Sequence, residues 1–290
     1  MDAAILAVVG TAGALVRASH PVPGGVVTAL ATLLAVTAGH DVRGVIGVAA
    51  AVLTGQLSIG WLNDLLDTSR DIAAGRVDKP LAAGELSSEV VRRALVLSTA
   101  ACIPLSFALG PMAGATHLVV VASGWAYDLG LKSTWVSWLP YAVAFGALPA
   151  VVTFALPGSP LVAAPVAAAT ALLGVGAHFL NVVPDIEADR RAGVRGLPQR
   201  WGADGSRVAG AIALAAACVL LAVRPTGPAT GAEAMATVTV GAVLAAALTL
   251  AAGTALLRRA GTSRAPFLCA LAVAALALIL LVLRGGALTA

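Results

Sequence analysis

Residues 63–80 read NDLLDTSRDIAAGRVDKP, and residues 181–198 read NVVPDIEADRRAGVRGLP. The second stretch repeats the polar skeleton of the first at unchanged intervals. Asn63, Asp67, Asp71, Gly75 and Pro80 are matched by Asn181, Asp185, Asp189, Gly193 and Pro198. Both follow long apolar runs. Residues four apart share a helix face, so Asn63, Asp67 and Asp71 form one stripe, with Asp64 beside it. Like charges at that spacing destabilise a bare helix by about 0.2–0.5 kcal/mol per pair. Partial burial adds a penalty for each carboxylate. Asp64, Asp67, Asp71 and Asp78 in the first copy, with Asp185, Glu187 and Asp189 in the second, therefore call for something cationic.

The apolar runs fix the fold class. The chain is 59% hydrophobic and 11% charged, with mean hydropathy +0.95, whereas soluble domains carry about 25% charged residues. This is the composition of an all-α multi-pass membrane protein. Nine runs are long enough to cross, or nearly cross, about 30 Å of hydrocarbon: 24–39, 43–63, 89–110, 112–128, 135–156, 160–183, 207–223, 234–257 and 266–284. A further apolar helix is expected over 2–16; it lacks a basic start and a cleavage site, so a removed signal peptide is not expected. The linkers are short, and residues 1–290 read as a single integral-membrane domain. Cys102, Cys218 and Cys269 stand singly in apolar runs without CxxC spacing and read as small core residues.

A net charge of +4 does not imply a nucleic-acid partner here, because basic residues in a membrane protein mainly set topology. Fifteen of the 18 Lys and Arg residues fall before span one or beside the ends of spans two, four, six and eight; Arg43, Arg224 and Arg284 are the exceptions. The positive-inside rule puts the even-numbered ends in the cytoplasm. Both acidic motifs lie at those ends, so the mouth they form is expected on the cytoplasmic face. Only Lys79 and Lys132 among the basic residues are lysines, a bias associated with GC-rich bacterial genomes, which points to a bacterial cytoplasmic membrane.

A cluster of carboxylate and amide oxygens suits Mg²⁺, which is commonly held by a few carboxylates together with substrate phosphates. Basic residues are interleaved with the acids. Arg70, Arg76 and Lys79 accompany the first motif, Arg190, Arg191 and Arg195 the second, and Lys132 follows Tyr127 and Asp128 after span four. Carboxylates for a metal, with guanidinium and ammonium groups for phosphate oxygens, are what a diphosphate–Mg²⁺ complex requires. One DxxxD at a helix end is ordinary solvated loop chemistry; two in register on one face are not. A repeat-built transporter would place its ionisable groups near mid-membrane, and here they gather at one end. His178, one turn before Asn181, reads as a hydrogen-bonded helix histidine. Asp128 reads either as loop structure or as a group that takes a proton. Trp125, Trp135 and Trp138 read as interfacial anchors.

These residues resemble a known family. Asn63-Asp64-x2-Asp67-x3-Asp71 is similar to the first motif of the UbiA-type intramembrane prenyltransferases, and Lys79-Pro80-Leu81-x2-Gly84-x2-Ser87 to the segment after it. Tyr127-x3-Gly130-Leu131-Lys132 resembles the family's tyrosine and lysine after the fourth helix. Asp185-x3-Asp189-x3-Gly193, with Leu197-Pro198 and Gly202, resembles the second motif. The resemblance covers about 60 to 202 and implies a bundle of nine transmembrane helices around a central cavity. It implies Mg²⁺-dependent transfer of an isoprenoid chain from an allylic diphosphate to a small hydrophobic or aromatic acceptor in the membrane, among lipids.

Carried over by position, Asn63, Asp67, Asp71, Asp185 and Asp189 would bind Mg²⁺, with Asp64 assisting. Arg70, Lys132, Asn63, Asn181 and Tyr127 would attend the diphosphate. Asp67, Asp71, Asp185, Asp189 and Lys132 would carry the catalysis. A terpene cyclase on the same fold would use the same aspartates but fold the cation onto itself; five Phe and two Tyr offer few aromatic faces for that. The chain departs from the family pattern at Val182-Val183-Pro184, at Arg195-Gly196, and at His20-Pro21, where an arginine is expected beside the proline.

Overall fold

A computed structural model describes residues 3–223, with Gly241 and Leu288. These residues are helical almost throughout: α1 (Ala3–Ala18), α2 (Pro21–Thr37), α3 (Val42–Ala73), α4 (Ser88–Ala108), α5 (Pro111–Leu129), α6 (Leu139–Phe154), α7 (Ala164–Val182), α8 (Ile186–Arg191) and α9 (Leu197–Val223). The helix starts follow local chemistry. Asp41 caps α3 by accepting from the Gly44 amide at 2.8 Å, and Ser87 caps α4 through the Val90 amide at 3.3 Å, each satisfying a donor the helix leaves unpaired. Pro21 and Pro111 open α2 and α5, where a missing N–H costs nothing.

The seven expected spans that fall on described residues are all helices, with shifted limits; 234–257 and 266–284 lie outside the described residues. Among the described residues, four helical stretches are long and apolar enough to cross a membrane: Val42–Ala73, Ser88–Ala108, Ala164–Arg191 and Leu197–Leu221. The pair Gly10–Ala18 and Pro21–Thr37, bent by 72°, makes a fifth if taken as one span. Of the remaining expected spans, α6 has 16 residues, about 24 Å at 1.5 Å per residue. The other, α5, carries His117, Tyr127 and Asp128 among its apolar residues. Conversely, α3 has 32 residues, about 48 Å. It outruns the hydrocarbon, and its final turns carry the first acidic motif.

α3 packs between α2 on one side and α4 and α5 on the other; α5 leads to α6, α6 to α7 and α7 to α9, while α2 also touches α6. The main core lies between these helices, where Leu34, Val48, Val52, Leu148, Val152, Val166, Leu173, Leu180 and Leu214 meet. Cys102 and Cys218 are buried free thiols, as expected; Cys269 lies outside the described residues. The exterior is also apolar. Ile46 on α3, Val96 and Leu97 on α4 and Val119 on α5 are at least half exposed. A soluble monomer does not tolerate such a surface; lipid tails cover it at no cost.

A smaller cluster of Ala14, Ala18, Leu81, Leu86 and Val91 binds the loop after α3 to the elbow between α1 and α2. Arg17 pairs with Glu85 across the same junction, and the Trp61 indole N–H donates to the Leu15 carbonyl at 3.0 Å. The loop bearing Lys79 is thereby fixed.

Candidate active site

Because α3 runs unbroken to Ala73, Asn63, Asp67 and Asp71 form the stripe that the spacing predicts. Gly75 then ends the helix at φ 65°, with the Gly75 amide bonded to Ile72 O and the Arg76 amide to Asp71 O, both at 3.0 Å. This is a glycine C-cap, in which the left-handed residue lets the last carbonyls find donors. Gly193 repeats it at φ 83°, with Val194 N bonded to Asp189 O at 2.9 Å. The repeated glycine therefore has a structural reason.

The second motif departs from the first between its ends. Pro184 has no N–H to continue the ladder, and α7 stops at Val182. A single 3₁₀ turn, Val183–Asp185, leads into the six-residue α8. Asn181, Asp185 and Asp189 thus stand on three successive elements.

The motifs meet at one end of the bundle, as their charge pattern implies. Asp67 Oδ1 accepts from Lys132 Nζ at 2.7 Å and from Arg70 Nη2 at 2.6 Å. Its Oδ2 accepts from Lys132 at 3.0 Å and from Asn63 Nδ2 at 3.3 Å. Asn63 also donates to Asp128 Oδ1 at 2.9 Å, which joins α3 to α5. Across the mouth, Arg76 pairs with Asp78 at 2.9 Å and approaches Asp185 at 4.0 Å. The hydrogen bond from Arg76 holds the Asp78 carboxyl below the usual carboxylate range, and the same bond raises the Arg76 guanidinium. Asp71 is half-buried.

Not every candidate stands where the sequence suggests. Asp64, grouped with the metal ligands, is only 1% exposed and pairs with Lys79 at 2.9 Å. His20 lies beside both, 3.0 Å from Lys79 Nζ and 3.7 Å from Asp64 Oδ1. The histidine that replaces an expected arginine is therefore built into an ion-pair cluster at the α1–α2 elbow. Asn181 lies beside Tyr141. Tyr127 sits in a ring cluster, 5.2 Å from Tyr141 and 5.6 Å from His178. His178 is buried and bonds Ser137 Oγ at 3.2 Å, so it is the hydrogen-bonded helix histidine expected.

Ser137 Oγ also accepts from the Leu197 amide at 3.1 Å, which ties the loop after α5 to the start of α9. A Cβ at Gly196 would run into the Lys132 carbonyl. The glycine in the departing Arg195-Gly196 pair thus lets this loop close onto the lysine's backbone. Two site residues escaped the sequence reading: Tyr141 in the ring cluster and Gln199. Gln199 donates from Nε2 to Asp189 Oδ2 at 2.7 Å. Its only signal is its place directly after Leu197-Pro198.

The sequence model of the UbiA prenyltransferase family matches residues 25–276. The chain belongs to the UbiA prenyltransferase family. By class it is a membrane prenyltransferase. Among solved structures, a UbiA homolog from Aeropyrum pernix K1 is 21% identical with a TM-score of 0.66, covering 88% of this chain and 97% of that one. A UbiA homolog from Archaeoglobus fulgidus bound to GPP and Mg²⁺ is 14% identical with a TM-score of 0.68, covering 94% and 98%. A structure described for digeranylgeranylglyceryl phosphate synthase is 15% identical with a TM-score of 0.61, covering 95% and 96%. These likenesses concern the fold. No curated protein sequence matches the chain.

The donor set fits a hard divalent ion in kind. The motif acids offer only oxygens, and buried Asp64 Oδ2 and Asp128 Oδ2 have no hydrogen-bond partner. Among the described residues no three His, Cys, Asp or Glu side chains converge as a metal group. The acids stand in two halves, with Lys132, Arg70 and Arg76 set against them. Those same cations suit phosphate oxygens.

Proposed function

We propose that the chain transfers an isoprenoid group from an allylic diphosphate to a hydrophobic, aromatic acceptor within the membrane, releasing diphosphate. The observation that carries this reading is the sharing of Asp67 by Lys132 and Arg70 at a mouth that also presents Asp185 and Asp189. Oxygen ligands for a divalent ion and donors for phosphate oxygens stand there side by side. Solved UbiA homologs with GPP or DMAPP and Mg²⁺ support it.

In this reading Asp67, Asp71, Asp185 and Asp189 would hold Mg²⁺, with Asn63 beside them. The ion, when bound, supplies positive charge against the diphosphate oxygens. Lys132 and Arg70 face the same oxygens and neutralise the electron pair that leaves with the diphosphate as the C–O bond breaks. Asn63 holds Asp67 and Asp128 in register across α3 and α5. The chain's two tyrosines lie in one ring cluster with His178 and Phe145, and their π faces suit an allylic cation. The acceptor carbon attacks that cation and then loses its proton.

The test is diphosphate release by the purified protein in detergent with Mg²⁺. It is supplied with geranyl, farnesyl, geranylgeranyl and longer diphosphates, with and without aromatic acceptors, and products are read by mass spectrometry. Acceptor-dependent release with a prenylated product is the expected outcome. EDTA should stop it and Mg²⁺ restore it. Release without acceptor, giving a hydrocarbon or terpene alcohol, would replace transfer with cyclisation. No release from any donor would overturn the reading.

A further inference from the structure

The two motifs hold their last carboxylates by different means. Asp71 follows Asp67 by one turn of a continuous 32-residue helix, so the backbone ladder sets its position. Asp189 has no such support. It lies beyond the 3₁₀ turn at Pro184, which interrupts the α-helical ladder, on a helix of six residues, shorter than an isolated helix needs to hold itself together. α8 must be fixed from outside.

Gln199 does this from the first turn of α9. Its side-chain amide donates to Asp189 Oδ2 at 2.7 Å, and its backbone carbonyl accepts from Arg190 Nε at 2.6 Å. Two consecutive residues of α8 are thus gripped by one residue of α9. Gln199 is 4% exposed, so its amide has no ready alternative in water. Its Oε1 has no partner and would lie 2.7 Å from a Cβ at Gly196; the side chain is confined on that side too. Among the described residues, no hydrogen bond engages Asp189 Oδ1, which leaves that oxygen available to a cation.

We infer that Gln199 is a positioning residue for the second motif: it orients the Asp189 carboxylate for the divalent ion, the task that the unbroken helix performs for Asp71. The inference rests on the proposed role of Asp189 in holding Mg²⁺. Outer partners that orient metal ligands typically contribute about 10–100-fold in metal affinity or activity.

The test compares the wild-type chain with Gln199→Met, which keeps volume and removes the donor. Mn²⁺ is titrated by electron paramagnetic resonance with geranyl thiolodiphosphate present, and the Mg²⁺ dependence of turnover is measured alongside. About tenfold weaker Mn²⁺ binding is expected, with the Mg²⁺ needed for half-maximal rate raised by the same factor and kcat regained at high Mg²⁺. In an Asp189→Asn background the Gln199→Met change should weaken Mn²⁺ binding no further, because it acts through that carboxylate. Metal-free hydrogen exchange over residues 186–194 should quicken in Gln199→Met. It should also quicken in Gln199→Glu, which keeps length and the Arg190 contact, so exchange decides the matter should the Met variant fail to fold. Wild-type Mn²⁺ binding in Gln199→Met, a rate loss that Mg²⁺ does not restore, or unchanged exchange would overturn the inference. If no donor is turned over but Mn²⁺ binding depends on Gln199, the transferase reading fails and this one stands.

Discussion

Asp67 bears three neighbours on one carboxylate: Lys132, Arg70 and Asn63. The Lys132 side chain is 11% exposed, and Asp67 is its ion-pair partner. Removing one partner of a buried pair is destabilising by about 3–5 kcal/mol, because the other charge is stranded; partial exposure places this pair at the lower end. Asp67→Ala should therefore lower the thermal unfolding midpoint in detergent as well as turnover. Asp67→Asn keeps an acceptor for Lys132 and should recover part of the stability, while diphosphate release stays at least about 100-fold below wild type. An Asp67→Asn enzyme with wild-type turnover would remove Asp67 from the chemistry. Asp185 is more than half exposed and only 4.0 Å from Arg76 at its nearest. Asp185→Ala should thus abolish turnover without a comparable loss of stability, which separates the catalytic role from the packing role.

At the scale of elements, the repeat holds at its ends and breaks in its middle. Gly75 and Gly193 both adopt positive φ, and a Cβ at either would meet open space. Alanine there costs only the left-handed strain, about 1–2 kcal/mol. Gly75→Ala and Gly193→Ala should each lower stability by about that amount in thermal unfolding, with asparagine milder than alanine. A neutral result at both would remove the cap as the reason for the repeated glycine. The break at Val182-Val183-Pro184 was visible as a departure, yet the equal intervals of the two copies suggest equal geometry. Proline chemistry overrides the interval. The first motif was legible because its geometry is local: a spacing of four within one helix. The Asn63–Asp128 and Gln199–Asp189 bonds were not, because each joins residues of different helices whose approach is set by packing. Asp64 shows the same limit. Its neighbours in sequence are site residues, while its partners, Lys79 and His20, come from a loop and from the α1–α2 elbow.

For the whole molecule, the charge pattern and the geometry agree on one point and leave a second to experiment. The ends of α3, α5 and α7 meet through Asn63–Asp128, Asp67–Lys132 and Arg76–Asp185, so both motifs occupy one end of the bundle. Among the described residues the basic side chains concentrate at that same end, and by the positive-inside rule we propose that it faces the cytoplasm. Asp78 and Glu187 lie there with side chains 57% and 77% exposed, and both suit labelling. In a chain with Cys102, Cys218 and Cys269 replaced by alanine, Asp78→Cys and Glu187→Cys should each react with a membrane-impermeant maleimide in inverted vesicles and not in intact cells. Labelling of both from outside would reverse the orientation and place the mouth away from the cytoplasm. Labelling of one from each side would be more serious, since the two motifs would then face opposite compartments and could not form one site. The Arg76–Asp185 approach excludes that arrangement in this fold, so the two cysteines are expected to behave alike.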